Sequence, residues 1–159
     1  MCAPAAGAGT FLISAVDGTV SKVADDIGVS VVWSQTGDSF LIYGGKPGEW
    51  MAAVDTRGNV LTIDRPADAI NQPALSPDGI ILVWAGGPPH ISSTDNTIPP
   101  RGLLDESIHQ ALWTPDGQAV IFAAKSGLYI AQRPDFNPVL ISSEIQLQLF
   151  DDYMEWIFP

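Results

Sequence analysis

The chain has 159 residues, 46% of them hydrophobic and 16% charged, which is typical of a folded domain and unlike a disordered chain. Its formal net charge is −11, from 18 acidic residues against 7 lysines and arginines, so the chain would repel a phosphate backbone and we expect no nucleic-acid partner. Cys2 is the only cysteine, which excludes an internal disulfide and a multi-cysteine metal site. The apolar runs are far shorter than the roughly 20 residues of a transmembrane helix, so no transmembrane segment is expected.

The first nine residues, Met1 to Gly9, contain no charged side chain and little that could pack. They predict a flexible tail ahead of a single domain over residues 10–159. A cysteine followed by Ala, Pro and Gly resembles the start of a mature bacterial lipoprotein, in which that cysteine carries the lipid. This resemblance implies a lipid anchor at Cys2 and an extracytoplasmic, lipid-anchored or periplasmic location. The alternative is an ordinary cytoplasmic N-terminus.

A β-hairpin is predicted directly after the tail. Strands over Thr10–Val16 and Thr19–Val23 flank the dipeptide Asp17-Gly18. An Asp-Gly pair between two β-rich runs is a strong local hairpin signal, because glycine accepts the positive φ that a tight turn requires.

Four further strands make the first complete repeat unit. They are predicted at Val29–Trp33, Ser39–Tyr43, Trp50–Asp55 and Val60–Ile63. The second of them contains the uninterrupted apolar run Phe40-Leu-Ile-Tyr43, which indicates that both of its faces are covered.

The second unit begins with strands near Pro73–Leu75 and Ile80–Ala85. The segment Gly86–Arg101 that follows contains four prolines, and proline interrupts the hydrogen bonding of a sheet. We therefore expect a long ordered loop there, with an irregular outer edge near Ile98–Leu104.

The third unit is again regular. Its strands are predicted at Ala111–Trp113, Ala119–Ala123, Leu128–Gln132 and Val139–Ser142. The remaining stretch, Ile145–Phe158, reads as strand, turn and strand around Asp151-Asp152. The chain would thus begin with the last two strands of one unit and end with its first two.

The turn glycines Gly37, Gly79 and Gly117 stand 42 and 38 residues apart. A period near 40 built from short strands predicts an all-β fold, a β-propeller of about four four-stranded blades. One blade would be shared by the N- and C-terminal strands, which removes the open sheet edges. The alternatives are a β-sandwich and half of a larger or dimeric propeller; we expect a monomer, with a homodimer as the second choice.

Two segments, Trp113-Thr-Pro-Asp-Gly-Gln-Ala-Val-Ile-Phe122 and Leu75-Ser-Pro-Asp-Gly-Ile-Ile-Leu-Val83, resemble the TolB-type propeller repeat. Gly127-Leu-Tyr-Ile130 is similar to the strand that follows in that family. The resemblance extends over residues 10–143 and implies a propeller. Family members include protein-interaction platforms, lipoprotein-associated scaffolds and gating domains of serine peptidases. Such propellers commonly have six or more blades, so the resemblance also allows a chain that is part of a larger ring.

In a propeller, the loops from a fourth strand to the next first strand share a face with the loops between second and third strands, and we expect the binding site on that face. The predicted binding residues are Trp84, His90, Asp95, Asn96, Arg101, Asp105, Glu106 and His109. Asp105 and Glu106 with His109 could hold a divalent cation, since carboxylates and imidazole suit such ions, but a solvated loop is the simpler interpretation of this segment. We therefore expect no metal and no cofactor.

A hydrolytic triad would require His90 or His109, the only two histidines, beside a nucleophile such as Ser92 or Ser107. The sequence contains no Gly-x-Ser-x-Gly elbow. The pattern therefore favours a non-catalytic protein-interaction or scaffold module with a protein partner, such as an accessory subunit or a surface lipoprotein. The alternative is a small propeller hydrolase that acts on glycan or peptide.

Overall fold

The computed structural model describes residues 9–25, 30–44, 50–68 and 73–144, and over these ranges the chain is an all-β propeller. It contains three four-stranded antiparallel sheets and one two-stranded sheet, and each strand pairs with the next one along the chain within its sheet. The predicted fold class is therefore confirmed. No helix in these ranges is long and apolar enough to cross a bilayer.

The N-terminal hairpin consists of β1 (Thr10–Ile13) and β2 (Val20–Ala24). Asp17 Oδ1 accepts a hydrogen bond from Thr19 N at 3.0 Å, and Gly18 adopts a φ of 70°, as the Asp-Gly signal predicted. Leu12, Val23 and Ala24 pack against blade 1. The hairpin therefore covers one side of the next blade.

The three complete blades follow in chain order. Blade 1 consists of β3 (Ser30–Trp33), β4 (Ser39–Gly44), β5 (Trp50–Asp55) and β6 (Val60–Thr62). Blade 2 consists of β7 (Ala74–Leu75), β8 (Ile81–Trp84), β9 (His90–Ser93) and β10 (Arg101–Gly102). Blade 3 consists of β11 (Ala111–Trp113), β12 (Ala119–Ala124), β13 (Gly127–Gln132) and β14 (Pro138–Ser142).

The prediction of a long loop over Gly86–Arg101 was wrong, because the strand β9 lies within this segment. This strand pairs with β8 along its length, from Trp84 opposite His90 to Ile81 opposite Ser93. The four prolines stand in pairs just before β9 and just before β10. At these positions the prolines lie at the end of a connection and remove no N–H donor from the interior of a strand, so the sheet tolerates them.

The core lies between consecutive blades rather than within a single sheet. Blade 1 packs its Leu41 and Met51 against Leu82 and Trp84 of blade 2. Val83 of blade 2 lies in a second cluster with several buried side chains of blade 3. Because each strand alternates its side chains between two faces, an internal blade must be apolar on both, which explains the uninterrupted apolar run of its second strand.

The two tryptophans at matching repeat positions differ in their surroundings. Trp113 is 8% exposed, and its Nε1 donates to the carbonyl oxygen of Ala74 in blade 2 at 3.0 Å, so Trp113 packs between blades 2 and 3. Trp33 is 53% exposed and contacts Phe40 of its own blade, with ring centroids 4.6 Å apart. Among the described residues, Trp33 thus packs against its own blade.

The turn of blade 2 is closed by its own side chains. Ser76 Oγ donates to Asp78 Oδ1 at 2.5 Å, and the same carboxylate oxygen accepts from Ile80 N at 3.1 Å. Ile81 N in turn donates to Ser76 Oγ at 2.8 Å. The turn of blade 3, Thr114-Pro-Asp-Gly117, repeats this pattern: Thr114 Oγ1 donates to Asp116 Oδ1 at 2.6 Å and accepts from Ala119 N at 3.0 Å.

Neighbouring turns are also joined across blades. Gln35 N and Thr36 N both donate to the carbonyl oxygen of Pro77, at 3.1 and 3.3 Å. Gly117 of blade 3 lies against the ring of Pro77, since a Cβ at position 117 would stand 3.3 Å from Pro77 Cδ. The three turns therefore form one continuous layer.

The shared blade remains a prediction. Its N-terminal half is the hairpin β1–β2, but the stretch Ile145–Phe158 that would supply its other half lies outside the described residues, as does the tail at positions 1–8 with Cys2.

The turn aspartates make stability sensitive to acid. The Ser93 hydroxyl, with Thr97, lowers the pKa of Asp95 to about 2, and the Ser14 hydroxyl, with Thr19, lowers that of Asp17 to about 2. Because these folded-state values lie below the usual 3.8, the contribution is complete above that value and is lost as the pH falls from about 4 to about 2. We expect the free energy of unfolding, measured in urea, to fall over this interval.

The matched variant is Asp95→Asn, which keeps an acceptor oxygen but cannot titrate. It should show a shallower acid slope than the wild-type chain. An unchanged slope would contradict the assignment of acid sensitivity to this turn.

Candidate functional site

The predicted binding residues separate onto opposite ends of the strands. Connections 85–89, 103–110 and 125–126 lie at one end, here called the linker end. Turns 76–80, 94–100, 114–118 and 133–137 lie at the other, here called the turn end. Because β9 reverses the chain between them, His90 belongs to the linker end and Asp95 and Asn96 to the turn end. The predicted face, formed by second-to-third and fourth-to-first loops, is thus the linker end, but Asp95 and Asn96 do not lie on it.

At the linker end, His90 holds two loops together. Its Nδ1 lies 2.9 Å from the carbonyl oxygen of Pro88 and 3.8 Å from Asp68 Oδ1. A carbonyl oxygen only accepts, so Nδ1 carries the hydrogen of this bond. Gly87 adds a close backbone approach, since a Cβ there would stand 2.6 Å from the carbonyl oxygen of Asp68. His90 thus ties the β8–β9 connection to the loop that enters blade 2.

The acidic segment beside it is also engaged in loop structure. Glu106 Oε2 accepts a hydrogen bond from Ser126 N at 2.9 Å, which links the loop before blade 3 to its β12–β13 turn. Asp105 and His109 are exposed. Within the described ranges, no group of three His, Cys, Asp or Glu side chains is close enough to hold a metal ion.

Trp84 was predicted at the base of a binding loop, but the structure places it in the core. It is fully buried, and its Nε1 donates to Ser92 Oγ at 2.8 Å. The ring contacts blade 1, so it has no face on which a ligand could stack. The uninterrupted apolar run of β8 indicates this burial, because such a run requires both faces of the strand to be covered.

At the turn end, Asp95 and Asn96 hold the β9–β10 turn. Asp95 Oδ1 accepts from Ser93 Oγ at 2.6 Å. Asn96 adopts a φ of 60°, and its side chain donates to the carbonyl oxygen of Thr62 at 2.8 Å and accepts from Asp64 N at 3.2 Å. Asn96 therefore joins blade 2 to the outer strand of blade 1.

Arg101 is the predicted residue that lies at an open cavity. A groove of about 400 Å³ runs between the β9–β10 connection and the β13–β14 turn of blade 3. It is lined by Ile91, Ile98, Arg101, Pro134, Asp135, Phe136 and Asn137. Its floor is apolar, and its rim carries the polar side chains of Arg101, Asp135 and Asn137. Its volume lies within the range of known binding sites.

The far wall of the groove is fixed by contacts across the blades. Arg101 Nη2 donates to the carbonyl oxygen of Asp135 at 2.7 Å. Phe136 is buried edge-on against Trp113, with centroids 5.9 Å apart. Arg133 lies over both rings and donates through Nη2 to Asp78 Oδ2 at 2.8 Å. The groove is therefore already shaped before anything enters it.

Sequence reasoning missed most of this lining. No predicted binding residue lies in the run Pro134-Asp-Phe-Asn-Pro138, although it is rich in turn-forming residues and the β13–β14 turn is longer than the equivalent turn of blade 1 at 56–59. The buried Phe136, at a φ of 52°, is the residue that makes this turn a wall. An aromatic residue between two prolines was the available signal.

No protein-family model matches the chain, and no curated protein matches it. Among solved structures, a eukaryotic initiation factor is similar at a TM-score of 0.52 and 20% identity, with 79% of this chain and 35% of that one covered. TolB from Acinetobacter baumannii is similar at a TM-score of 0.51 and 20% identity, with 80% and 36% covered. The chain thus spans about a third of the length of these two structures. At this identity the likeness shows the propeller fold alone.

Proposed function

We propose that this protein is a non-catalytic interaction module that binds an extended segment of a partner protein in the groove between blades 2 and 3. The groove itself carries the proposal: it joins an apolar floor to a polar rim, and it is held open by contacts between blades. A preformed site costs little ordering on binding, which favours a recognition role. The TolB-type repeats in the sequence, in a family that includes protein-interaction platforms, agree with this role.

The lining defines the chemistry of the partner. Ile98, which is 38% exposed, offers an apolar contact for one anchoring side chain, while Arg101 and Asn137 can hydrogen-bond the backbone carbonyls of an extended segment. The net charge of −11 attracts positively charged flanks over long range and speeds encounter. The proposed partner segment is therefore an extended peptide with one apolar anchor and basic neighbours.

The surroundings of Ser92 support a non-catalytic role over hydrolysis. Ser92, the nucleophile candidate beside His90, is buried and accepts the Trp84 Nε1 hydrogen bond. A serine committed to a tryptophan in the core is not placed to attack a substrate.

The proposed setting is outside the cytoplasm. It rests on the resemblance of Cys2, with the Ala, Pro and Gly residues after it, to the start of a mature bacterial lipoprotein. A module tethered in this way would present the groove to a protein of the same compartment, as an accessory subunit or surface scaffold does. Mass spectrometry of the protein isolated from its natural host tests lipid attachment. Any added acyl mass should be absent from the Cys2→Ser variant.

Peptide selection tests the groove directly. A random dodecapeptide library displayed on phage would be selected against the immobilised full chain. We expect enriched peptides with one large apolar residue and basic flanks, and we expect Ile98→Asp to weaken their binding at least tenfold, because it places a charge against the apolar anchor.

The matched control is Ile80→Asp, an exposed isoleucine of the turn end that does not line the groove. It should bind the selected peptides as the wild-type chain does. Failure to enrich any peptide, or equal binding to both variants, would contradict the proposed function.

A further inference from the structure

One acidic residue lines the groove between blades 2 and 3. Of the seven lining residues, Asp135 is the acidic one, and Arg101, on the opposite wall, is the basic one. The two residues meet through the main chain, because Arg101 Nη2 donates to the Asp135 carbonyl oxygen at 2.7 Å. Among the described residues, the Asp135 carboxylate itself forms no hydrogen bond and no ion pair. The two walls are therefore in contact, while the carboxylate stays available to a ligand.

Asp135 differs in this respect from the aspartates that close other turns. Asp78, Asp95 and Asp116 each accept a hydrogen bond from the backbone N–H two residues further along the chain, at 3.0–3.1 Å. Each of them also accepts from a serine or threonine hydroxyl. Asp135 makes neither kind of bond, so the shape of its turn does not depend on its carboxylate.

The backbone of Asp135 is nevertheless held in place. Arg101 binds its carbonyl oxygen, and the next residue, Phe136, is buried edge-on against Trp113. Phe136 N also donates to the Gln132 carbonyl oxygen at 2.7 Å, which closes the turn. Asp135 is exposed, so its negative charge has a defined place on the rim of the groove. A charge held in this way loses little freedom when it pairs with a cation.

This single carboxylate favours a basic side chain as its ligand. A metal ion would require several oxygen or nitrogen ligands, whereas the lining contains one carboxylate and no histidine. In an extended segment, residues two positions apart point to the same side. When the apolar anchor of the partner contacts Ile98, a basic residue two positions away therefore also faces the groove and can reach its rim.

We propose that Asp135 is a specificity-determining residue of the groove. Its carboxylate pairs with one Lys or Arg of the partner segment, two positions from the apolar anchor and on one side of it only, because the groove has a single carboxylate. This inference rests on the proposed function and narrows it. The net charge of −11 attracts basic segments in general, whereas Asp135 recognises a basic residue at one position.

Peptides enriched against the wild-type chain by phage selection provide the probes, and fluorescence anisotropy measures their affinity. We expect a basic residue at one fixed spacing from the anchor, and its replacement by alanine should weaken binding about three- to fivefold. Asp135→Asn should weaken binding of the unsubstituted peptide by the same factor, because it removes the charge and leaves the carbonyl oxygen that Arg101 binds. This variant should bind the alanine-substituted peptide as the wild-type chain does.

Asp38→Asn is the matched control. Asp38 lies in the β3–β4 turn, is exposed and does not line the groove. Both variants remove one negative charge, so they alter the long-range attraction equally, and only Asp135→Asn removes the local contact. Asp38→Asn should bind the peptide like the wild-type chain. Equal affinities of the two variants would overturn the role of Asp135 and leave the proposed function intact.

A selection against a charge-reversed groove completes the test. With Asp135→Lys as the target, the same library should yield peptides with the same apolar anchor and with Asp or Glu in place of the basic residue. An unchanged preference for Lys or Arg at that position would overturn the assignment to Asp135 alone. A wild-type chain that enriches no peptide, or peptides that bind Ile98→Asp equally well, would overturn this inference together with the proposed function.

Discussion

Replacing Gly79 with alanine should lower the free energy of unfolding by about 2–4 kcal/mol, because the change combines a disfavoured backbone conformation with a collision between blades. Gly79 has a φ of 75°, which L residues other than glycine adopt at a cost. A Cβ there would collide with Ser39 Oγ and Ser34 Cβ, both in blade 1. The second blade would have to move away from the first.

Gly37→Ala separates the two effects. Its φ is 76°, almost the same, but nothing lies within 4 Å of where its Cβ would stand. This variant should lose only about 1 kcal/mol, the cost of the backbone conformation. Urea denaturation of both variants measures the difference, which reports the contact between the turns of blades 1 and 2. Equal losses would show that the two turns are not in contact in solution.

Trp84→Ala should destabilise the protein by about 3–5 kcal/mol, the largest effect of any single side chain in this core. The residue is fully buried between blades 1 and 2, so its removal leaves a cavity lined by both. A loss of this size could unfold the chain, and a milder variant is needed beside it.

Trp84→Phe retains an aromatic ring and removes the donor to Ser92 Oγ. It leaves a buried hydroxyl without its partner, at a cost of about 1–3 kcal/mol in addition to the lost contacts. Ser92→Ala in the Trp84→Phe background should recover part of that loss. Thermal unfolding of the single and double variants provides the measurement. Should the second substitution deepen the loss instead, the indole–serine bond is not what orients Trp84.

The propeller could be predicted from the sequence because its signals are local. The Asp-Gly hairpin at Asp17 and the motif at Ser76–Gly79 each specify a turn through hydrogen bonds between residues five or fewer positions apart. Both are therefore visible in a short window of sequence. The uninterrupted apolar run at β8 in the same way predicts a strand covered on both faces.

The site could not be predicted in this way. The groove brings Ile98 and Arg101 against Pro134–Asn137, more than 30 positions away, through a contact between two blades. No local pattern encodes such a contact. The strand β9 was not predicted for a different reason. Pro88 and Pro89 indicate a loop, but β9 begins immediately after them. Proline bars the interior of a strand but not the residue before it.

The bond between Asn96 and the outer strand of blade 1 bears on how the molecule opens. A repeat of four strands is the unit of the sequence, but Asn96 satisfies the Thr62 carbonyl and the Asp64 amide of the preceding repeat. Gln35 and Thr36 depend likewise on the Pro77 carbonyl of the following one. Loss of blade 2 would break these bonds and would also expose Leu41 and Met51 of blade 1, which pack against blade 2, so we expect the two blades to melt together. In hydrogen-exchange terms, blades 1 and 2 form one foldon whose boundary does not coincide with the sequence repeat.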